Sequence, residues 1–135
     1  MSNVYEIDSA HRLVYWRSNG LQTIESISKV RRALDQDARF DPTFSFLVDL
    51  TNANLAGLSA DDVWHLAMSR NNLAPDARIA VIAPKDDQYG LARMYEIRRS
   101  LDVGDFSMLA CRTMEEALAW LEIPDFVPLS LTEVP

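Results

Sequence analysis

Two histidines, His11 and His65, and one cysteine, Cys111, are the residues of this 135-residue chain best suited to act as ligands, bases or nucleophiles. A metal ion needs three or four such groups within reach. His11 lies in the turn "DSAHR", and His65 lies on the polar side of a helix, away from Val63 and Ala67. Neither has a partner at ligand spacing, so two surface histidines and no metal are expected. Cys111 ends the apolar segment "FSMLACR", where a thiol serves as a small core residue. An exposed, perturbed thiol beside His11 or His65 would instead mark an enzyme. No nucleophile elbow is present. The glycines are Gly20, Gly57, Gly90 and Gly104, and no spacing among them makes a phosphate-binding loop, so no nucleotide cofactor is expected.

Three other groups offer recognition rather than catalysis. The loop "TNANLAGL" joins an apolar strand to a helix, and loops in that position carry function in α/β domains. In the helix that follows, 59–72, Ala60, Val63 and Ala67 make one apolar face. Trp64 and Met68 widen it on one flank and Leu66 on the other, more than one sheet contact requires. Intramolecular cover or a subunit interface both account for that width. In "YGLARMYEIRR", Gly90, Leu91, Met94, Ile97 and Leu101 are expected to face the sheet. Tyr89, Arg93, Tyr95, Glu96 and Arg99 are then left outside. Tyr89–Arg93 and Tyr95–Arg99 are i,i+4 neighbours able to stack. They form either a solvated face or a recognition surface, since Tyr and Arg favour interface hot spots.

The elements that position these residues follow from periodicity and punctuation. Val4–Ile7 and Leu13–Trp16 read as a hairpin. Ile24, Ile27, Val30 and Leu34 make one face of a helix from about Leu21 to Ala38, which ends before Pro42. "FSFLVDL" and "ARIAVIAP" are strands buried on both faces. Ser59 is the N-cap of the next helix, with Asp61 and Asp62 in its first turn. "DDQYGLARMYEIRRSLD" is a helix and "FSMLACR" a strand. Thr113 and Glu116 open the final helix, "MEEALAWL", with a capping box. The order β-β-α-β-α-β-α-β-α implies an α/β fold. Its sheet should be mixed and mostly parallel, with an antiparallel N-terminal hairpin. One domain is expected over 1–122, and 123–135, with three prolines, should be an extended tail.

Composition narrows the partners. The net charge of −7 opposes a nucleic-acid or anionic-membrane partner. A single cysteine forbids an internal disulfide and suits a reducing compartment. The polar start "MSNVYEIDS" and the lack of a long apolar run point to the cytoplasm. A chain of this size buries roughly two thirds of its unfolded surface, enough for a core without staples.

Strand order, "FLVDL" leading to "NLAGL", "YGLARMYE" and "EEALAWL" resemble the STAS superfamily, in particular its small bacterial SpoIIAA-like branch. The resemblance spans about residues 4–121. It implies a non-enzymatic regulatory or protein-interaction module without a cofactor. In the anti-sigma antagonists, the loop carries an acid, two hydroxyl residues, glycine and leucine, and the second hydroxyl is phosphorylated. Here the matching positions are Asn54, Leu55, Ala56, Gly57 and Leu58. Glycine and leucine agree, but Ala56 stands at the acceptor. Ser59 and Thr51 are the nearest other hydroxyls, and Ser59 is accounted for as a cap.

The implied contact surface is Asn54, Ala56, Gly57, Ser59, Trp64, Met68, Tyr89, Arg93, Tyr95 and Arg99. Its partner would be another protein or a second copy of the chain. The alternative is a carrier or sensor with an apolar pocket beneath the helices, a role the lipid-binding Sec14-like relatives of the branch also imply. An internal cavity would favour it.

Overall fold

A computed structural model describes residues 3–69, 74, 76–103 and 107–134, and the side chains of these except 68, 69, 102 and 103. Among the described residues the strands are β1 (Val4–Asp8), β2 (Leu13–Leu21), β3 (Ser45–Asn54), β4 (Ile79–Ile82), β5 (Met108–Cys111) and β6 (Thr132–Glu133). The helices are α1 (Ile24–Gln36), α2 (Ala60–Ser69), α3 (Asp86–Arg98) and α4 (Met114–Trp120), with a π-helical turn at Arg99–Val103. One six-stranded mixed sheet runs β5-β4-β3-β2-β1-β6. β2 to β5 are parallel, while β1 pairs antiparallel with both β2 and β6.

From β2 to β5 the chain steps one strand at a time in a single direction. Crossovers of constant hand place their helices on a single face. Accordingly, Val30 and Leu34 of α1 and Ala92 of α3 share a core with Trp16, Phe46 and Val81. The next residues along the same strands, or those just before, point the other way. Tyr15, Leu47, Ala80 and Ile82 meet Ala117 and Leu118 of α4 and Phe126. Two-sided burial is why these strands read as continuous apolar runs.

Four details differ from the sequence-based expectation. β2 runs to Leu21 and the helix begins only at Ile24. There Thr23 accepts from the Ser26 N–H at 3.1 Å, and Ser26 Oγ accepts from the Thr23 N–H at 2.9 Å. That reciprocal cap fixes the start. β3 continues to Asn54, through residues expected to be loop. After a register shift, Asn19, Gly20 and Leu21 pair with Asn52, Ala53 and Asn54, so the ladder holds a polar stretch in extended form. The tail is not merely extended, because Val4 and Tyr5 pair with Glu133 and Thr132. Glu6 Oε1 also accepts backbone N–H groups of Leu129, at 2.7 Å, and Ser130, at 2.5 Å. The fourth difference, the rotation of α3, concerns the candidate site.

Candidate functional site

An apolar cavity of about 130 Å³ lies between the sheet and the three helices α1, α2 and α3. Trp16, Phe46, Val48, Ile79, Val81 and Met108 line it from the strands. Ile27 of α1, Val63 and Leu66 of α2, and Leu91 and Ala92 of α3 line it from the helices. Leu50, Leu55 and Leu58 line it from β3 and the loop after it, and Ser18 and Gln22 add polar groups.

Arg31 spans the helices around this space. Its Nη2 donates to the Tyr95 hydroxyl on α3 at 3.0 Å, and its Nη1 donates to the Leu66 carbonyl on α2 at 3.1 Å. Arg31 and Tyr95 both line the cavity, so the cation that ties the helices together is also part of its wall.

The loop after β3 is held against the β2–α1 junction. The Gln22 N–H donates to the Asn54 carbonyl at 2.9 Å. Asn54 Oδ1 accepts from the Ala56 N–H at 3.0 Å, an Asx turn that folds the chain back. A Cβ on Gly57 would stand 2.7 Å from the backbone oxygen of Gln22, so this close approach requires glycine. Ala56 is exposed and Leu55 is buried. Ser59 Oγ accepts from the Asp62 N–H at 3.1 Å, and the Asp62 carboxylate accepts from the Ser59 N–H at 2.9 Å. Ser59 is therefore engaged as a helix cap.

α3 is turned relative to expectation. Met94, Ile97 and Leu101, expected against the sheet, are exposed at 36%, 45% and 75%. Gln88, Ala92 and Arg99 are buried instead. Polar groups decide the phase. Gln88 Nε2 donates to the carbonyls of Leu50 at 2.7 Å and Ala53 at 3.0 Å, and Glu96 Oε1 accepts the Ala110 N–H at 2.8 Å. Arg99 Nη1 donates to the Ala67 carbonyl at 3.3 Å. These bonds satisfy strand ends and helix carbonyls that apolar side chains could not.

The expected Tyr–Arg stacks are accordingly replaced. Arg112 lies 4.2 Å above the Tyr89 ring, Arg93 pairs with Glu96, and Tyr95 meets Arg31. Of the five residues expected on the outer face, Arg93 is exposed, Tyr89, Tyr95 and Glu96 are half-buried, and Arg99 is buried. Trp64 is 39% exposed, with its ring edge against His65. The side chain of Met68 and the expected end of its helix, 70–72, lie outside the described residues.

No protein-family model and no curated protein matches this chain.

The groups most suited to covalent chemistry are placed apart from the cavity wall. Cys111 is 3% exposed, and its Sγ lies 3.5 Å from the Val81 carbonyl and 3.6 Å from that of Thr113. Burial, with a contribution from the Glu116 charge, pushes its thiol up to about 11, so it is not a thiolate at neutral pH. His11 is bound by Asp8 at 2.8 Å and Asp125 at 3.3 Å, and these hydrogen bonds raise its pKa. Among the described residues, no group of three or more His, Cys, Asp or Glu could hold a metal ion, and no helix is long and apolar enough to cross a membrane.

Sequence reasoning missed Trp16, Ser18 and Arg31 as site residues. The signal for Arg31 was its position four residues after Ile27, on the edge of the apolar stripe of α1. Nothing in the local pattern of β2 marked Trp16 as more than core.

Proposed function

We propose that this chain is a non-enzymatic, cytoplasmic ligand-binding module, a carrier or sensor that holds a small apolar molecule between its sheet and helices. The observation that carries this reading is the apolar cavity of about 130 Å³. An interior of native density leaves few voids larger than a water molecule. An apolar cavity of about 150 Å³ takes up benzene, and this space is only a little smaller. Membership of the STAS superfamily belongs to the same proposal. It rests on "FLVDL", "NLAGL", "YGLARMYE" and "EEALAWL", with Ala56 in place of a phosphoacceptor.

The test is thermal unfolding with benzene, toluene or indole at rising concentration. A ligand that binds only the folded state raises Tm according to its free concentration over Kd. Ala92→Leu places a larger side chain in the wall and should abolish that rise while leaving the fold intact. A wild-type Tm unmoved by all three compounds would remove the reading.

A second reading, a protein-interaction module, is favoured by a separate observation. Met94, Ile97 and Leu101 stand at spacings of three and four along one outward face of α3 and its π-helical extension. Such a face matches a helix-packing seam, and a second copy of the chain is its simplest partner.

A further inference from the structure

Ser18 of β2 lines the cavity and is 2% exposed. Among the described residues its hydroxyl makes no hydrogen bond, yet it is not sealed off as the unpaired Trp16 Nε1–H is. The little surface that Ser18 keeps therefore opens into the space it lines. Two other polar side chains of the wall are committed elsewhere. Gln22 Nε2 donates to Asn3 and to the carbonyls of Asn19 and Gly20, and its Oε1 accepts from Asn3 and Ser26. Arg31 donates to Leu66 and Tyr95. Buried polar groups away from the wall are paired as well. Gln88 donates to two carbonyls, and Glu6 accepts two backbone N–H groups. A buried hydroxyl that donates to nothing is unfavourable, and alanine would occupy this position without that cost.

We propose that the cavity takes a short-chain ketone or alcohol, whose oxygen accepts from the Ser18 hydroxyl while its hydrocarbon part meets the apolar wall. This rests on the ligand-binding reading above. Volume sets the size of the molecule. A cavity of about 150 Å³ holds benzene, with its six carbons, so a space of about 130 Å³ suits about five non-hydrogen atoms. A long acyl chain does not fit. The wall sets the polarity. Apart from Ser18 it is almost wholly apolar, so one hydroxyl is matched by one oxygen on the ligand. A carboxylate or an ammonium would give up its hydration for that single group, at high cost. A lone water is a poor occupant too, because it needs two to four polar partners. A purely hydrocarbon ligand of the same size would fill the space but leave the Ser18 donor unpaired.

Butanone and 2-methyl-1-butene test this, because they match in size and differ mainly in C=O against C=CH2. Their affinities are measured by NMR titration on the wild type and on Ser18→Ala. The ratio of affinities, ketone over alkene, should fall about fivefold in Ser18→Ala, with alkene binding retained. Without ligand, Ser18→Ala should melt at or above the wild-type Tm, since the hydroxyl supports no contact of the fold. A clear loss of Tm would show that the hydroxyl is bonded within the fold and would overturn the assignment. The wild type supplies an independent readout. Protons flanking the carbonyl of bound butanone should give nuclear Overhauser contacts to the Ser18 β-protons, and their absence would place the oxygen elsewhere. If the ratio survives in Ser18→Ala, or if the alkene alone binds the wild type, the acceptor assignment is overturned and the cavity reading stands. If neither compound binds, the assignment falls, and the Tm response to benzene, toluene and indole decides whether the cavity reading falls with it.

Discussion

Arg31 of α1 and Tyr95 of α3 meet at 3.0 Å, so a guanidinium ties two helices that are 64 residues apart along the chain. The same side chain reaches the Leu66 carbonyl of α2 at 3.1 Å. One residue thus links the three helices that border the cavity. Arg31→Met keeps much of the apolar stem and removes the donors. It should cost about 1–3 kcal/mol, because a helix carbonyl and a half-buried hydroxyl lose a charged partner. Tyr95→Phe should cost about 1 kcal/mol, and the double variant less than the sum. Urea unfolding of the four proteins checks this. Strict additivity would show that the contact carries no coupling.

Ser59→Ala should cost on the order of 1 kcal/mol, through loss of the hydrogen bond from the Asp62 N–H. Because Ser59 is exposed and faces its own helix, small-ligand binding and self-association should be unchanged. A binding defect at constant Tm would reassign the residue to recognition.

Gly57→Ala should be more damaging than its exposure implies. The new Cβ would sit 2.7 Å from the Gln22 carbonyl oxygen, and backbone on both sides would have to shift. A destabilisation of about 1–3 kcal/mol is expected, in the range for overpacked sites. The same shift moves Leu55 and Leu58, which line the cavity, so apolar-probe binding should weaken as well. A stable variant with unaltered binding would show that the loop is more compliant than its contacts indicate.

The legible and illegible parts of this molecule divide along physical lines. The buried strands were readable because two-sided burial leaves an uninterrupted apolar run, as in 79–82. Helix starts at Ser59 and Thr113 were readable because caps are local. The extent of β2 and β3 was not, since "SNGL" and "TNAN" are held extended by pairing with each other rather than by their own preference. The rotation of α3 was hidden for a related reason. Its inward residues Gln88 and Glu96, and Arg99 just beyond its end, bond to groups on β3, β5 and α2, elements distant in sequence. An apolar stripe at 94, 97 and 101 therefore pointed to the wrong face. The cavity is a property of how three helices fail to fill the space above one sheet, and no single segment encodes that.

Acid should weaken the fold in part through Asp37. Its carboxylate accepts from Arg39 at 2.7 and 3.0 Å and from the Tyr5 hydroxyl at 2.8 Å. These bonds, that from the Arg39 side chain foremost, hold its pKa far below the usual carboxylate range despite an opposing effect of burial. A depressed folded pKa contributes stability that is fully present above the unfolded value of about 3.9 and is lost as pH falls towards the folded value. Asp37→Asn should destabilise the protein at pH 7, by no more than about 1 kcal/mol given solvent screening. The penalty should shrink steadily below about pH 4. Unfolding midpoints of both proteins between pH 2.5 and 7 test the sign. A penalty independent of pH would mean that the charge of Asp37 plays no part.

The outward apolar face of α3 makes the last prediction. Leu101 is 75% exposed, Ile97 45% and Met94 36%, although each is a residue type that folding normally removes from water. Gly90, with nothing within 4 Å of the position its Cβ would occupy, continues the same line one turn earlier and leaves room for close approach. Spacings of four, three and four from 90 to 101 repeat the pattern by which two helices interlock. Wild-type protein should therefore self-associate in sedimentation equilibrium at high concentration. Ile97→Arg should shift it to monomer with little change in Tm, because the side chain is exposed in the isolated fold. Trp64, exposed on α2, offers the control. If Trp64→Ala disperses the assembly while Ile97→Arg does not, the contact runs through α2, with a loss of at least about 2 kcal/mol expected for a tryptophan anchor. A wild type that stays monomeric throughout would eliminate both faces as self-association surfaces.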